Sequence, residues 1–126
     1  MIATKYHISA DRVMGIYKSL TGEEKVGSDG GEFCRTAVNV MQRWLKDSAE
    51  AAPYDDLLCY AAACMAYYRY VLKSSVTASD LKAGDISIID CSEKAVSYAK
   101  ALYDDAIADV EFLLKPKRFA FISVKG

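Results

Sequence analysis

The sequence predicts a mainly α fold: four helices in a bundle-like single domain, with a small β element. Three observations predict it. Four stretches carry apolar residues at helical spacing, the chain has 126 residues of which 52% are hydrophobic, and only residues 85–89 and 118–124 alternate in the manner of strands. One core usually serves about 100–200 residues, so the chain is not divided.

Ser9 is placed to cap a first helix through about residue 20, with Val13, Ile16, Tyr17 and Leu20 on one side. Residues 21–31 (TGEEKVGSDGG) hold four glycines and read as a flexible loop. They lack the GxxxxGK[ST] spacing and lysine of a phosphate-binding loop. A second helix is expected over 32–49, where Cys34, Ala37, Val38, Met41, Trp44 and Leu45 oppose Arg35, Asn39, Gln42, Arg43 and Lys46. Trp44 reads as a core anchor.

Pro53 suits the first position of a third helix, and Asp55 and Asp56 suit the positive end of its dipole. That helix is expected to run to about residue 74. Its centre (LLCYAAACMAYYRYVL, 57–72) has one charge, Arg69, and falls short of the ~20 apolar residues that span a bilayer. No membrane is implied. A helix apolar nearly all round must be covered on every side, by its own fold or by neighbouring subunits.

Asp90 and Glu93 stand at capping-box spacing for a fourth helix, with Ser92 as a rival cap. Its stripe is Ala95, Ala99, Leu102, Tyr103, Ala106, Ile107, Val110, Leu113 and Leu114, and Pro116 ends it. Between helices three and four, residues 74–91 read as a docking loop containing a Gly84-Asp85 turn and a short strand over 85–89. The tail, 116–126, alternates through RFAFISVKG and reads as a second strand. Burying two phenylalanines does not offset the ordering of nine residues, so this strand needs a ladder partner. The two strands can pair within the subunit or across an interface, since an isolated ribbon is marginal and an exposed edge invites another chain.

Charge and motif content exclude several function classes. With 16 basic and 17 acidic residues the net charge is -1, which argues against binding nucleic acid by bulk electrostatics. Lys115, Lys117 and Arg118 flank Pro116 at a helix end, where cations complement the dipole. The cysteines Cys34, Cys59, Cys64 and Cys91 form no CxxC pair, and they read as reduced core residues in a cytosol. Cys59 and Cys64 diverge by about 140° around a helix and His7 is the only histidine, so zinc is not expected. The same lone imidazole leaves no Ser-His-Asp or Cys-His arrangement. Asp55-Asp56 and Asp104-Asp105 are the best carboxylate pairs, but adjacent helical residues diverge by about 100° and no ExxH or paired ExxE/ExxD pattern supports them. No cofactor and no catalysis are expected.

The stretch SSVTASDLKAGDISI, 74–88, resembles the segment after the long helix in head-tail connector (adaptor) proteins of tailed bacteriophages and prophages. There a serine is followed by Gly-Asp and a short alternating strand, here Ser79, Gly84, Asp85, Ile86, Ser87 and Ile88. FLLKPKRFAFISV, 112–124, is similar to the leucine pair, polar link and Phe-x-Phe strand of such proteins from phages of Gram-positive bacteria. The likeness covers residues 31–126 and leaves the N-terminal thirty outside it.

The resemblance implies a structural subunit that forms a ring with copies of itself beneath the portal protein, bridging portal to tail or stopper proteins. It implies manufacture in the bacterial cytoplasm, residence in the virion neck, and DNA as a non-specific passenger through the channel. Its interaction residues would be Leu81, Gly84, Asp85, Ile86, Ser87 and Ile88 in the docking loop and Phe119, Phe121, Ile122 and Val124 in the tail. The alternatives are a small helical phage or bacterial regulatory or binding protein and, third, a metal-dependent helical hydrolase. A third helix almost devoid of charge argues against DNA reading.

Overall fold

The fold follows from one helix that is apolar on all sides and three that cover it. The structure, a computed structural model, describes residues 6–22, 27–46, 50–81 and 86–115, with 75–81 and 86–92 as backbone. The elements are α1 (Ala10–Thr21), α2 (Ser28–Trp44), α3 (Asp55–Leu81) and α4 (Ile86–Val110), with single 3-10 turns at Ala52–Tyr54 and Glu111–Leu113.

In α3, Leu58, Cys59, Ala61, Ala62, Ala63, Cys64, Met65 and Ala66 are all buried. Alanines let neighbouring backbones approach closely, and α3 packs against α1, α2 and α4, most extensively along α4. The chain itself therefore covers the apolar helix, which removes that feature as a sign of assembly. Tyr17 of α1 meets Tyr70 of α3 edge-on at 6.1 Å, and Tyr68 of α3 stacks on Tyr103 of α4 at 5.9 Å. With only residues 82–85 between them, α3 and α4 form an antiparallel hairpin.

The sequence signals for α1 hold. Ser9 accepts a hydrogen bond from Arg12 N at 3.3 Å, and Gly22 closes the helix at φ 76° with its N–H on Lys18 O at 2.8 Å. A side chain is strained in that left-handed conformation. Gly22→Ala is expected to cost about 1–2 kcal/mol, measurable by urea unfolding.

Three expectations need correction. First, the strand expected over 85–89 is not formed at Ile86, Ser87 and Ile88: these residues begin α4. A short apolar run cannot be told from a helical segment by period alone, and Ile88 is in register with the stripe of Ala95, Ala99, Leu102 and Ala106. Asp90, Ser92 and Glu93 are thus inside the helix, not at its cap. The docking loop over 74–91 shrinks accordingly, because α3 continues to Leu81.

Second, the glycine-rich loop is shorter than 21–31. α2 starts at Ser28, and Gly30 and Gly31 are buried in its first turn. Asp29 sits at the positive end of the dipole and pairs with Lys73 of α3, a contact over 44 residues that local composition does not reveal. Third, α2 ends at Trp44 and not near residue 49. Leu45 turns extended (φ -64°, ψ 137°) and forms an antiparallel bridge with Leu114. Lys46 N donates to Leu113 O at 2.9 Å and Lys115 N donates to Trp44 O at 2.7 Å. This bridge is the β pairing present among the described residues, and it joins the ends of α2 and α4. The expected tail strand, with Phe119, Phe121, Ile122 and Val124, lies outside the described residues, as do Gly84 and Asp85.

Candidate functional site

Two regions concentrate side-chain chemistry, and both lie near the start of α3. In the first, the N-terminal segment is sewn onto the bundle. Ile8 is buried in the core, which draws Tyr6–Ser9 along α2. Gln42 then satisfies two backbone groups of that segment: its Oε1 accepts from Ile8 N at 3.0 Å and its Nε2 donates to Tyr6 O at 2.8 Å. Tyr6 OH donates to Asp55 Oδ1, while Arg12 of α1 forks between Asp55 Oδ2 and Asp56 Oδ1.

Desolvation raises the Tyr6 phenol well above its ordinary range, and the hydrogen bond to Asp55 adds to this, so the residue is a neutral donor. Arg12 is exposed and held fully charged, chiefly by its hydrogen bond to Asp56. Cys59 Sγ lies 3.8 Å from Asp55 Oδ1, and burial followed by that carboxylate raises its thiol. One guanidinium thus occupies both members of the Asp55-Asp56 pair. This is the geometry of a structural clasp, with its carboxylates already engaged.

The second pair behaves similarly. Asp104 accepts from Lys100 Nζ at 2.8 Å, one turn away, and both side chains face solvent. Among the described residues no group of three or more His, Cys, Asp or Glu converges to hold a metal ion. A shallow cleft of about 550 Å³ opens where Met14 of α1 meets the first turns of α2, with Asp29, Glu32 and Arg35 on its walls. Its mixed charges and the Lys73 partner of Asp29 give it no phosphate-binding character.

The buried thiols are poor nucleophiles. Burial pushes Cys34 and Cys64 up to about 11, so both stay protonated at neutral pH. In the unfolded chain these thiols ionise near 9.0 and in the folded chain only near 11. Their contribution to stability is therefore complete below pH 9 and is lost as pH rises from 9 to 11. Urea unfolding across that window is expected to show falling stability. Cys34→Ala should make the fall shallower by up to about 1.4 kcal/mol per pH unit.

The second region is apolar. Tyr54, in the 3-10 turn before α3, packs edge-on against Phe112, in the turn after α4, with ring centroids 5.0 Å apart. Both rings are exposed, as is Leu57 one turn further along α3. Lys46 Nζ donates to Phe112 O at 3.0 Å and fixes that turn. This end of the bundle is also where the chain leaves the described residues, at Lys115.

The residues singled out from the sequence are distributed differently. Leu81 is the last residue of α3, and Ile86, Ser87 and Ile88 form the first turn of α4, so these four flank the tip of the hairpin. Phe119, Phe121, Ile122 and Val124 lie outside the described residues, which end at Lys115. Sequence reasoning missed the Tyr6–Arg12–Asp55–Asp56 clasp, whose bonded partners are 43 to 49 residues apart. It also missed the Tyr54–Phe112 pair. A signal for the latter existed: Phe112 falls outside the stripe ending at Leu113 and Leu114.

Among the described residues no helix is long and apolar enough to cross a membrane. Comparison with protein-family models, curated proteins and solved structures finds no match for the chain.

Proposed function

We propose that the chain is a structural adaptor, a subunit of a head-tail connector ring that links a portal protein to tail or stopper proteins without cofactor or catalysis. The observation that supports the reading is where the chain leaves the described hairpin: between Leu81 and Ile86 at one end and after Lys115 at the other. The link carrying Gly84 and Asp85 joins α3 to α4 at one end, and the tail departs from Lys115 at the other. α4 alone, at 25 residues, separates these ends by about 37 Å. An adaptor needs such an arrangement, two contact regions on a stiff spacer.

Further support comes from the bridge at Leu45 and Leu114. Continued past Lys115, that ladder would set residue 116 opposite Arg43 and residue 118 opposite Met41, and both of these lie in α2. A helix offers no ladder edge, so the pairing begun at Leu45 and Leu114 does not continue along α2. From Lys73, which meets Asp29, α3 runs on for eight residues, about 12 Å.

The resemblance that suggests this function places a strand after Gly-Asp, and here that position is helical. The docking element of the proposal is accordingly the hairpin tip and not a strand. Electron microscopy of the chain mixed with its proposed portal protein tests the reading: rings seated on the portal are expected, and the absence of any complex at saturating protein would refute it.

A second reading, a small helical binding protein, draws on the exposed Tyr54–Leu57–Phe112 patch. It would show a single bound partner and no ring.

A further inference from the structure

We infer that the groove holding residues 6–8 is an acceptor for an extended peptide segment of a partner chain, one that carries a hydrogen-bond donor side chain and, two positions later, an aliphatic one. The chain's own N-terminal segment is the resident, displaceable occupant. The groove lies at the start of α3 and the hairpin tip at its end, so ring formation with portal has no bearing on it.

Residues 6–8 are held as a strand partner is held. The side-chain amide of Gln42 accepts from Ile8 N at 3.0 Å and donates to Tyr6 O at 2.8 Å, the two backbone groups that flank His7. In a parallel ladder one residue bonds the C=O before and the N–H after the residue it faces, so a single side chain here stands in for an edge strand. The side chains alternate accordingly: Ile8 is buried, Tyr6 is half-buried, and His7 between them is exposed. Extended peptides are captured in this mode, with main-chain bonds supplying affinity and alternate pockets supplying specificity. The first pocket selects a donor, because Tyr6 OH donates to Asp55 Oδ1. A phosphotyrosine at that position would be repelled by the same carboxylate. The second pocket, filled by Ile8, is part of the apolar core.

The resident segment is held separately from the bundle. Ser9 caps α1 in an extended conformation (φ -78°, ψ 116°), and α1 is anchored by buried Val13 and Tyr17, so release of residues 6–8 leaves that helix in place. Asp55 keeps Arg12 when Tyr6 departs, and the half-buried Gln42 turns its amide to water. Release therefore costs the burial of Ile8 and of part of Tyr6, with no charged group left unpaired. Openings of this limited kind are what chain ends with few buried contacts undergo. A short tether holds a segment near its site at an effective concentration in the millimolar range, so a free peptide competes once the resident is weakened.

Titration of the full chain carrying Ile8→Ser with the acetylated, amidated peptide Tyr-His-Ile-Ser, followed by NMR, tests this. The substitution empties the apolar pocket and leaves Gln42 and Asp55 in place. Saturable shifts of the Gln42 side-chain amide are expected as the peptide reaches about 10 mM, above the effective concentration of the tether, and the wild-type chain should respond at least about tenfold more weakly. The same peptide methylated on the isoleucine nitrogen lacks the donor that Gln42 reads and should not bind, and neither should the phosphotyrosine peptide. The inference is overturned if a variant whose α3 amides keep their wild-type shifts shows no saturable response, or if the N-methyl peptide binds equally well. Hydrogen exchange of the wild-type chain is a second check that needs no variant. The Ile8 amide should exchange at least about tenfold faster than that of Ala62 in α3, and equal protection would mean that residues 6–8 open only with the bundle and are not displaceable. A segment exchanged between two copies would instead give a concentration-dependent dimer that Ile8→Ser abolishes, which overturns a partner's segment as the occupant.

Discussion

Leu58→Ala is expected to lower the free energy of unfolding by about 2–5 kcal/mol, whereas Leu57→Ala, one position earlier, should change it by no more than about 0.5 kcal/mol. Leu58 is fully buried in the cluster built around α3, and Leu57 is 40% exposed. Truncating the buried leucine removes its transfer free energy and leaves a cavity that close-packed neighbours fill only in part. Those neighbours include the short side chains Ala61 and Ala62, which have little freedom to move inward. The exposed leucine has no such cavity to leave. Urea unfolding with matched m-values measures both, and equal costs would mean that α3 presents a different face to the core.

Deletion of residues 118–126 is the second large effect. Helical content by circular dichroism should be retained, because the described core is complete by Leu114, while assembly with portal is lost entirely. Gly84→Val, between α3 and α4, is expected to behave the same way, because the proposal takes that link as its docking element. The two variants act at opposite ends of the hairpin. Full ring formation by either would separate that end from the adaptor function, and ring formation by both would end the proposal.

The helical part of this fold is legible from residues alone, and the reasons are local. Ser9 caps α1 as its hydroxyl suggests, Pro53 and the Asp55-Asp56 pair open the third helical run, and Ala99, Ala106, Ile107 and Val110 face inward as their spacing requires. Where local and distant signals compete, the distant ones decide. Gly30 and Gly31 argue for a loop, yet Lys73 reaches Asp29 from 44 positions away and the first turn of α2 forms around them. Leu45 lies on the helical stripe, yet Leu114 draws it into an extended bridge. Ile86, Ser87 and Ile88 have strand-like composition, yet helix propensity differs by only a few tenths of a kcal/mol for such residues and the α4 register absorbs them. The candidate contact residues are legible as a set of unusual segments. That Leu81, Ile86, Ser87 and Ile88 flank the hairpin tip is not, because it depends on where α3 ends and α4 begins.

The bridge between Leu45 and Leu114 also has a mechanical meaning. Any tension applied at Lys115 meets an amide bonded to Trp44 O, with Lys46 N and Leu113 O bonded alongside. The load is thereby divided between two helices at once, and α4 is not peeled from its terminus one turn at a time. A subunit pulled at that point would resist as a whole body.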